Sequence, residues 1–406
     1  MLKKLSVLLL SAALLLCLTS FVRADFSSPS KNLSNSPSFA SKFPKIDRVD
    51  NTTNVFAIWV ETDGTEDILY FSKSINAGTT WSAPYALTTN GQILTQDDLT
   101  DDYAFSFVVA DPYVHVVIQW RQDDTDDYDI WYIQSADLGD TWDIWKALTT
   151  NDYESRFPDI DARGTYVHVA YQDDWPGNDA IFYKRITNYG AGAVDQTRRL
   201  TYSSTDAYYP RIAVTTSGYT VNIVYEDEYS GQYNIFYKHI DDYGAGAFET
   251  RRITSNATYW NGRPDVTVGW NTYEPDVYIV YETDYTYGTM YHDIIYKRLD
   301  SWGHAGGTIY TARLSYSTTD SRSPYIDYDN VYDSVQICYH DDWSGNNDVM
   351  YRKFLNGGGA GFTGQRVSWG TGDSAHATLA AHGQWAWVVW SDNSSGNYEI
   401  YLKDGY

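Results

Sequence analysis

Four segments of the sequence combine acidic and aromatic residues at a repeated spacing. They read QDDWPGND, EDEYSGQYN, HDDWSGNND and SDNSSGNYE, and each places an aspartate four residues before a glycine. The acids are Asp173, Asp174, Asp227, Asp341, Asp342 and Asp392; the aromatic residues at corresponding positions are Trp175, Tyr229 and Trp343, together with Tyr285 in the related segment ETDYTYG. Aromatic rings stack on the C–H faces of sugars and carboxylates accept hydrogen bonds from hydroxyls, so this combination suits a carbohydrate ligand.

The same residues have a structural interpretation that the sequence leaves open. In it the aspartate caps a turn, the glycine forms the turn and the aromatic ring packs between neighbouring units. Calcium is a further alternative, most of all at QDDTDDYD, where the acids run from 123 to 129, although the spacing differs from that of an EF-hand loop. No other cofactor is predicted.

Four arginines form a second set that could bind an anionic group. Arg156, Arg211, Arg263 and Arg322 each lie within two residues of a recurring proline position. An arginine cluster can bind a carboxylate, but arginines that recur with a repeat also suit salt bridges between neighbouring units. The sequence favours the salt bridges.

These residues belong to a unit that is repeated seven times. Its first strand contains the proline in KFPKID, RFPDID, YYPRIA, GRPDVT and RSPYID, and AFSFVV and AHATLA are copies without it. A hydrophobic run ending in an aromatic residue follows, then a third strand such as DIWYIQS, and then a short fourth strand ending in LT or a near equivalent. Repeats of 52 to 62 residues with four short strands predict propeller blades.

The seventh unit ends at Tyr406 without a fourth strand, and the missing strand lies at the other end of the chain. Leu33 and Ser34 precede Pro44 much as Leu200 and Thr201 precede Pro210. The predicted fold is therefore all-β, a single seven-bladed β-propeller of four-stranded blades spanning 25–406. Residues 25–40 supply the closing strand of the last blade, which removes free sheet edges. A two-domain β-sandwich is the structural alternative.

Residues 1–24 have the composition of a secretory signal peptide. Lys3 and Lys4 precede an apolar stretch, and Val22 and Ala24 are the small residues before a cleavage site. We expect a secreted or cell-surface protein with no membrane insertion after cleavage, the alternative being an uncleaved anchor. Cys338 is then the only cysteine, which excludes an internal disulfide and predicts a small buried residue. The net charge of −24 argues against nucleic acid as a partner.

Two octapeptides, SINAGTTW at 74–81 and SADLGDTW at 135–142, fall between third and fourth strands. They resemble the Asp-box (BNR repeat), Ser-x-Asp-x-Gly-x-Thr-Trp, of sialidase-like propellers, with Asn76 in place of the aspartate in the first copy. TNYGAGA, DDYGAGA, DSWGHAGG and NGGGAGF are weaker versions. The resemblance implies a structural turn on the face away from the substrate site. The acidic loops resemble repeats of TolB-like and other cell-surface propellers.

The resemblance to sialidases implies three arginines, a tyrosine–glutamate pair and an aspartate at the channel mouth. The Phe/Tyr-Arg-Ile-Pro motif of that family is absent, since YPRI at 209–212 only rearranges its letters, and the family usually has six blades. We therefore predict no catalytic residue. The leading hypothesis is a non-catalytic propeller that binds glycan or another extracellular polymer. The alternatives are a sialidase-like glycoside hydrolase or lyase, and a surface protein that binds protein partners; the oligomeric state stays open.

Overall fold

Apolar residues that alternate along short segments form the strands of this protein, because one face of each strand is buried between sheets. The computed structural model describes residues 25–63, 67–88, 103–121, 127–175, 177–229, 231–255, 258–269, 275–284, 291–300, 308–315, 318–359, 361–383 and 385–405. Within these ranges seven sheets of four antiparallel strands form a ring. The predicted fold class is confirmed.

Each blade holds four strands, which pair in chain order in blades 1 to 6, whereas in blade 7 the strand β1 from the chain start pairs with β28. Blades 1 to 3 comprise β2 Ala40–Arg48, β3 Val55–Thr62, β4 Asp67–Ser74, β5 Tyr85–Ala86; β6 Phe105–Ala110, β7 Tyr113–Arg121, β8 Tyr128–Ser135, β9 Ile144–Ala147; and β10 Ser155–Arg163, β11 Tyr166–Asp173, β12 Ala180–Ile186, β13 Val194–Arg199. Blades 4 and 5 comprise β14 Ala207–Val214, β15 Val221–Tyr229, β16 Gln232–Ile240, β17 Phe248–Arg252; and β18 Asn261–Val268, β19 Val277–Thr283, β20 Asp293–Leu299, β21 Thr308–Arg313. Blades 6 and 7 comprise β22 Ser321–Asp329, β23 Ser334–Asp341, β24 Asp348–Phe354, β25 Phe362–Arg366; and β26 Ser374–His382, β27 Trp385–Asp392, β28 Glu399–Gly405, β1 Lys31–Asn32.

The ring closes through the N-terminal strand β1, which pairs antiparallel with β28. The N–H of Leu33 donates to the carbonyl of Ile400 at 2.7 Å, and the Ser34 hydroxyl accepts the Ile400 N–H at 2.9 Å. The hydroxyl at the same position of every other blade accepts the equivalent N–H; these residues are Thr88, Thr149, Thr201, Thr254, Ser315 and Ser368. The recurring Leu-Thr pair therefore hydrogen-bonds the end of the fourth strand to the third strand. Leu33-Ser34 at the chain start is the copy that serves blade 7.

The first strands of neighbouring blades contact one another all around a central channel. Apolar clusters fill the space between successive sheets, as where Phe56 and Ile58 of blade 1 pack with Phe105 and Val116 of blade 2. Cys338 is fully buried in such a cluster, as predicted. No helix in the described ranges is both long and apolar enough to span a membrane.

A β-bulge interrupts the first strand of six blades. The bulged residue has a positive φ of 47 to 55°, although it is not glycine; the six are Phe43, Phe157, Tyr209, Arg263, Ser323 and His376. Such a conformation is unfavourable for these residues and requires support from the surrounding structure.

The support comes from the second strand of the preceding blade. The N–H of Phe157 donates to Gln119 Oε1 at 3.0 Å, and the N–H of Ser323 donates to Glu282 Oε1 at 2.7 Å. The first strand of blade 2 lacks the bulge. The position in the second strand of blade 1 that corresponds to Gln119 and Glu282 is Val60, whose apolar side chain cannot accept a hydrogen bond. A side chain of one blade thus stabilises the positive φ of the bulged residue in the next blade.

The propeller has two distinct faces. The loops between second and third strands and the links between blades form what we call the loop face, where the Ala207 N–H donates to the Asp179 carbonyl at 2.9 Å. The turns between first and second and between third and fourth strands form the turn face, which includes the 3₁₀ turns Asn188–Gly190 and Asp242–Gly244. There the Leu138 N–H donates to the Pro112 carbonyl at 2.9 Å.

Candidate functional site

The first aspartate of each acidic loop is buried and occupied by hydrogen bonds within its blade. In blade 3, Asp173 accepts the Trp175 N–H at 2.9 Å and the Ser155 hydroxyl at 2.8 Å. The neighbouring Asp174 is half-buried and accepts the Glu154 N–H at 2.9 Å. These carboxylates therefore shape the loop and have a structural explanation that needs no ligand.

Blade 6 repeats this arrangement. Asp341 accepts the Trp343 N–H at 2.8 Å and the Ser321 hydroxyl at 2.6 Å, and Asp342 accepts the Asp320 N–H at 2.7 Å. In blade 7, Asp392 accepts the Ser394 N–H at 2.8 Å. Asp392 is buried in the same way.

In blade 4 the corresponding acid, Asp227, accepts hydrogen bonds from the hydroxyls of Thr205 at 2.9 Å and Ser203 at 3.2 Å. Burial raises its pKa to about 6. Tyr285 and the side chain of Tyr229 lie outside the described residues.

The two loop tryptophans are the most exposed of the predicted site residues that the structure describes. Trp175 is 44% exposed and Trp343 is 68% exposed, and both lie on the loop face. Trp175 borders a cavity of about 260 Å³, whose lining includes Asn151, Phe182 and Lys184. An exposed ring beside polar groups is available to stack on a ligand.

The octapeptides form tight turns on the turn face. In the first copy, Asn76 Oδ1 accepts the Thr80 N–H at 2.9 Å, Ser74 Oγ accepts the Gly78 N–H at 2.9 Å, and Gly78 has a φ of 81°. In the second, Asp137 accepts the hydroxyl and the N–H of Thr141, which lowers the pKa of Asp137 to about 2. These turns lie on the face opposite the acidic loops.

The four arginines of the first strands do not converge on one point. Arg211 lies 3.5 Å from Asp159 of the preceding blade, and Arg322 lies 3.5 Å from Glu282 of the preceding blade. Arg156 pairs with Glu154 in the adjoining link. Pairing between blades is therefore present at Arg211 and Arg322.

Arg263 belongs to a cluster of buried charges that the sequence analysis did not single out. It lies 3.8 Å from Glu282, which is 0% exposed, and it interacts electrostatically with Glu226 of blade 4, which is 3% exposed. Burial raises the pKa of Glu226 to about 8, since the charge of Glu282 adds to the effect and Arg263 only partly offsets it.

One oxygen of Glu226 has no hydrogen-bond partner in the described part of the chain. A side chain at Gly262 would overlap that oxygen, so glycine leaves room for it. The sequence signal was an acid directly after the aromatic anchor in two consecutive blades, Tyr225-Glu226 and Tyr281-Glu282. Carboxylates are too abundant in this chain for that signal to stand out.

The central channel contains a second group of buried acids that tie blades together. Asp47 accepts the Val109 N–H and Asp265 accepts the Ile326 N–H, in each case from the next first strand. Burial raises the pKa of both aspartates to about 7. Their hydrogen bonds give these acids a structural role.

The described residues hold no group of three or more His, Cys, Asp or Glu side chains arranged to bind a metal ion. Residues 122–126 of the acidic segment QDDTDDYD, which the sequence analysis considered for calcium, lie outside the described residues.

Solved structures show what this architecture resembles. The GH93 α-L-arabinofuranosidase of Fusarium graminearum, solved with arabinobiose, is similar with a TM-score of 0.50 and 10% identity over 94% of this chain and 98% of its own. The endosialidase of phage phi92 is similar with a TM-score of 0.51 and 11% identity over 93% of this chain and 68% of its own. At such identities the likeness concerns the fold alone. No protein family and no curated protein matches the sequence.

Proposed function

We propose that this protein binds carbohydrate on its loop face and that Trp175 and Trp343 contact the sugar. The observation that carries the proposal is the exposure of two tryptophans at equivalent positions of repeated loops, in each of which an aspartate accepts the backbone N–H of the tryptophan. Exposing a large apolar ring to water costs free energy, and stacking on a sugar face removes that apolar surface from water. A hydrophobic core role does not account for rings in this position.

Two further observations support a carbohydrate ligand. Two proteins of similar fold are a glycosidase solved with arabinobiose and an endosialidase, both of which act on sugars. The net charge of −24 also disfavours polyanions. A neutral polymer of the extracellular space meets no such repulsion.

A glycan array probed with residues 25–406 tests this proposal. We expect binding to one class of glycan and a loss of at least about tenfold in the variant Trp175→Ala/Trp343→Ala, because each stacked ring contributes about 1 kcal/mol or more. Tyr332→Ala is the matched control, since Tyr332 is 49% exposed on the turn face. Equal binding by the double variant and the parent would contradict the proposal. Running the array with and without a calcium chelator tests the calcium alternative.

A glycoside hydrolase is the second candidate function, and the buried pair Glu226 and Glu282 favours it. A carboxyl group that keeps its proton up to about pH 8 can act as a general acid, and an adjacent carboxylate held by arginines can stabilise positive charge. Release of reducing ends from the glycan that binds would support this function. Glu226→Gln should then abolish turnover and retain binding, whereas turnover unaffected by this change would exclude Glu226 as the acid.

Export through a signal peptide at residues 1–24 completes the proposal. We expect the mature protein to begin at Asp25, which N-terminal sequencing of protein from the culture medium checks. An intact N-terminus at Met1 would argue for a retained segment.

A further inference from the structure

Blades 3 and 6 each have a second exposed aromatic residue, which lies in the link after the fourth strand and which the sequence analysis did not single out. In blade 3, Tyr202 follows the LT pair directly and is 71% exposed; in blade 6, Trp369 occupies the same position and is 72% exposed. Both blades therefore present two exposed aromatic rings to the loop face, one from the loop and one from the link.

The link aromatics are held by equivalent contacts. The Arg199 guanidinium lies 5.4 Å from the Tyr202 ring centre, and the Arg366 guanidinium lies 4.6 Å from the Trp369 ring centre. Each arginine is fixed by a hydrogen bond from Nε to the carbonyl two residues ahead, at 2.6 Å for Arg199 and 2.8 Å for Arg366. Such cation–π contacts restrict the rings while leaving their other faces free.

The loop and the link of each blade are joined to each other. In blade 3, the Asn178 side chain donates to the Thr205 carbonyl at 3.1 Å; in blade 6, the Asn346 side chain donates to the Gly372 carbonyl at 2.7 Å. The loop and the link that carry the two aromatic residues of a blade are thus joined by a hydrogen bond.

Blade 7 has the same loop scaffold without the aromatic residues. Asp392 accepts the Ser394 N–H and the Ser374 hydroxyl as its counterparts do, but Ser394 replaces the loop tryptophan and Asn35 replaces the link aromatic. The scaffold therefore forms without aromatic rings, which shows that folding of the loop does not require them.

We propose that the described residues form two equivalent carbohydrate sites, one on blade 3 and one on blade 6, and that the protein binds a neutral polysaccharide at both. This inference rests on the proposed function and adds the location of two equivalent sites and the ligand class. Blades 3 and 6 are three positions apart in a ring of seven, so the sites lie on nearly opposite sides of the loop face.

A neutral ligand follows from the charges at the two sites. Asp174 and Asp342 are half-buried beside the tryptophans and disfavour an anionic sugar. Arg366 is already paired with Asp348 at 2.5 Å, and the Nε of Arg199 donates to a backbone carbonyl. Lys184, which lines the cavity beside Trp175, donates to the Thr197 hydroxyl at 3.2 Å. Stacking and hydroxyl hydrogen bonds then remain as the means of recognition.

Two sites on one face change how a polymer binds. A hexasaccharide occupies one site at a time, so these two sites bind two molecules, whereas a long polysaccharide that reaches both sites binds with avidity. Linked binding of this kind commonly raises affinity by about 100-fold or more. Removing either site should therefore weaken polymer binding far more than it weakens hexasaccharide binding.

Calorimetric titration tests the number of sites. Cellohexaose, xylohexaose, mannohexaose and arabinohexaose are titrated separately into residues 25–406, into Trp175→Ala, into Trp343→Ala and into the double variant. For the sugar that binds, we expect each single variant to bind one molecule fewer than the parent protein and the double variant to bind two fewer. Ser394→Ala, at the equivalent position of blade 7, is the matched control and should keep both sites.

The outcomes separate this inference from the proposed function. A single site in the parent protein, or loss of all binding in either single variant, would overturn the two-site inference and leave carbohydrate binding intact. Absence of binding by all four hexasaccharides would contradict both. Thermal unfolding of each variant serves as the folding control, and unchanged midpoints are expected because both tryptophans are exposed.

Discussion

Closure of the ring by the chain start should be a large contribution to stability, and the double variant Leu33→Ala/Ser34→Ala measures it. Leu33 is 8% exposed in the apolar cluster between blades 7 and 1, so its truncation should cost about 3 kcal/mol. Loss of the Ser34 hydroxyl leaves the Ile400 N–H unpaired and removes a 2.5 Å hydrogen bond to the buried Glu399, which adds about 1–3 kcal/mol.

The expected total of about 4–6 kcal/mol is large beside the 5–15 kcal/mol of a typical folded protein. Urea unfolding followed by tryptophan fluorescence measures the change, and amide exchange should accelerate along β28. The matched variant Leu200→Ala/Thr201→Ala removes the equivalent residues of blade 3, where Thr201 accepts the Ile181 N–H at 2.9 Å. That variant should lose similar stability without faster exchange in β28. A loss below about 1 kcal/mol for Leu33→Ala/Ser34→Ala would refute closure by this strand.

Two further predictions concern the channel and the turn face. Burial raises the pKa values of the Asp47 and Asp265 carboxyls to about 7, above the 3.8 of an unperturbed aspartate. Ionising these carboxyls therefore costs more free energy in the folded protein than in the unfolded chain. The free energy of unfolding should therefore fall as pH rises from 5 to 8, and Asp47→Asn should flatten that slope; a slope of opposite sign in thermal unfolding would contradict this. Gly244 has a φ of 83°, and a Cβ there would overlap the Tyr183 hydroxyl. Gly244→Ala should cost about 3 kcal/mol or more, whereas Gly164→Ala, with positive φ but no described atom within 4 Å, should cost about 1 kcal/mol. Equal losses in urea unfolding would show that overlap with Tyr183 contributes nothing.

Most of the architecture could be read from the sequence because its signals are local. Strand patterns, the recurring proline and the LT pair recur in successive units, and the LT hydroxyl makes its hydrogen bond within its own blade. The closing strand was predictable for the same reason, since Leu33-Ser34 is a copy of a local motif displaced to the chain start. The turn geometry at 74–81 likewise depends on side chains only a few residues apart.

The candidate sites were predictable only in part. The sequence brought Asp173, Trp175, Asp341 and Trp343 together as one pattern but left their roles open. The structure separates them, because the aspartate faces into its blade toward a serine hydroxyl while the tryptophan faces solvent. Tyr202 and Trp369 were not predicted as site residues because they lie in the link that follows the fourth strand, outside the acidic loop.

By itself the sequence determined the blade count, the strand order and the closure, since these depend on patterns that repeat along the chain. Only the tertiary structure decided which first strands contain a β-bulge and which carboxylates are buried together. Ser323 adopts a positive φ because Glu282 of another blade accepts its N–H, and Glu226 has a raised pKa because neighbouring sheets remove it from water. Such partners are more than 35 residues apart in sequence and meet only when adjacent blades pack.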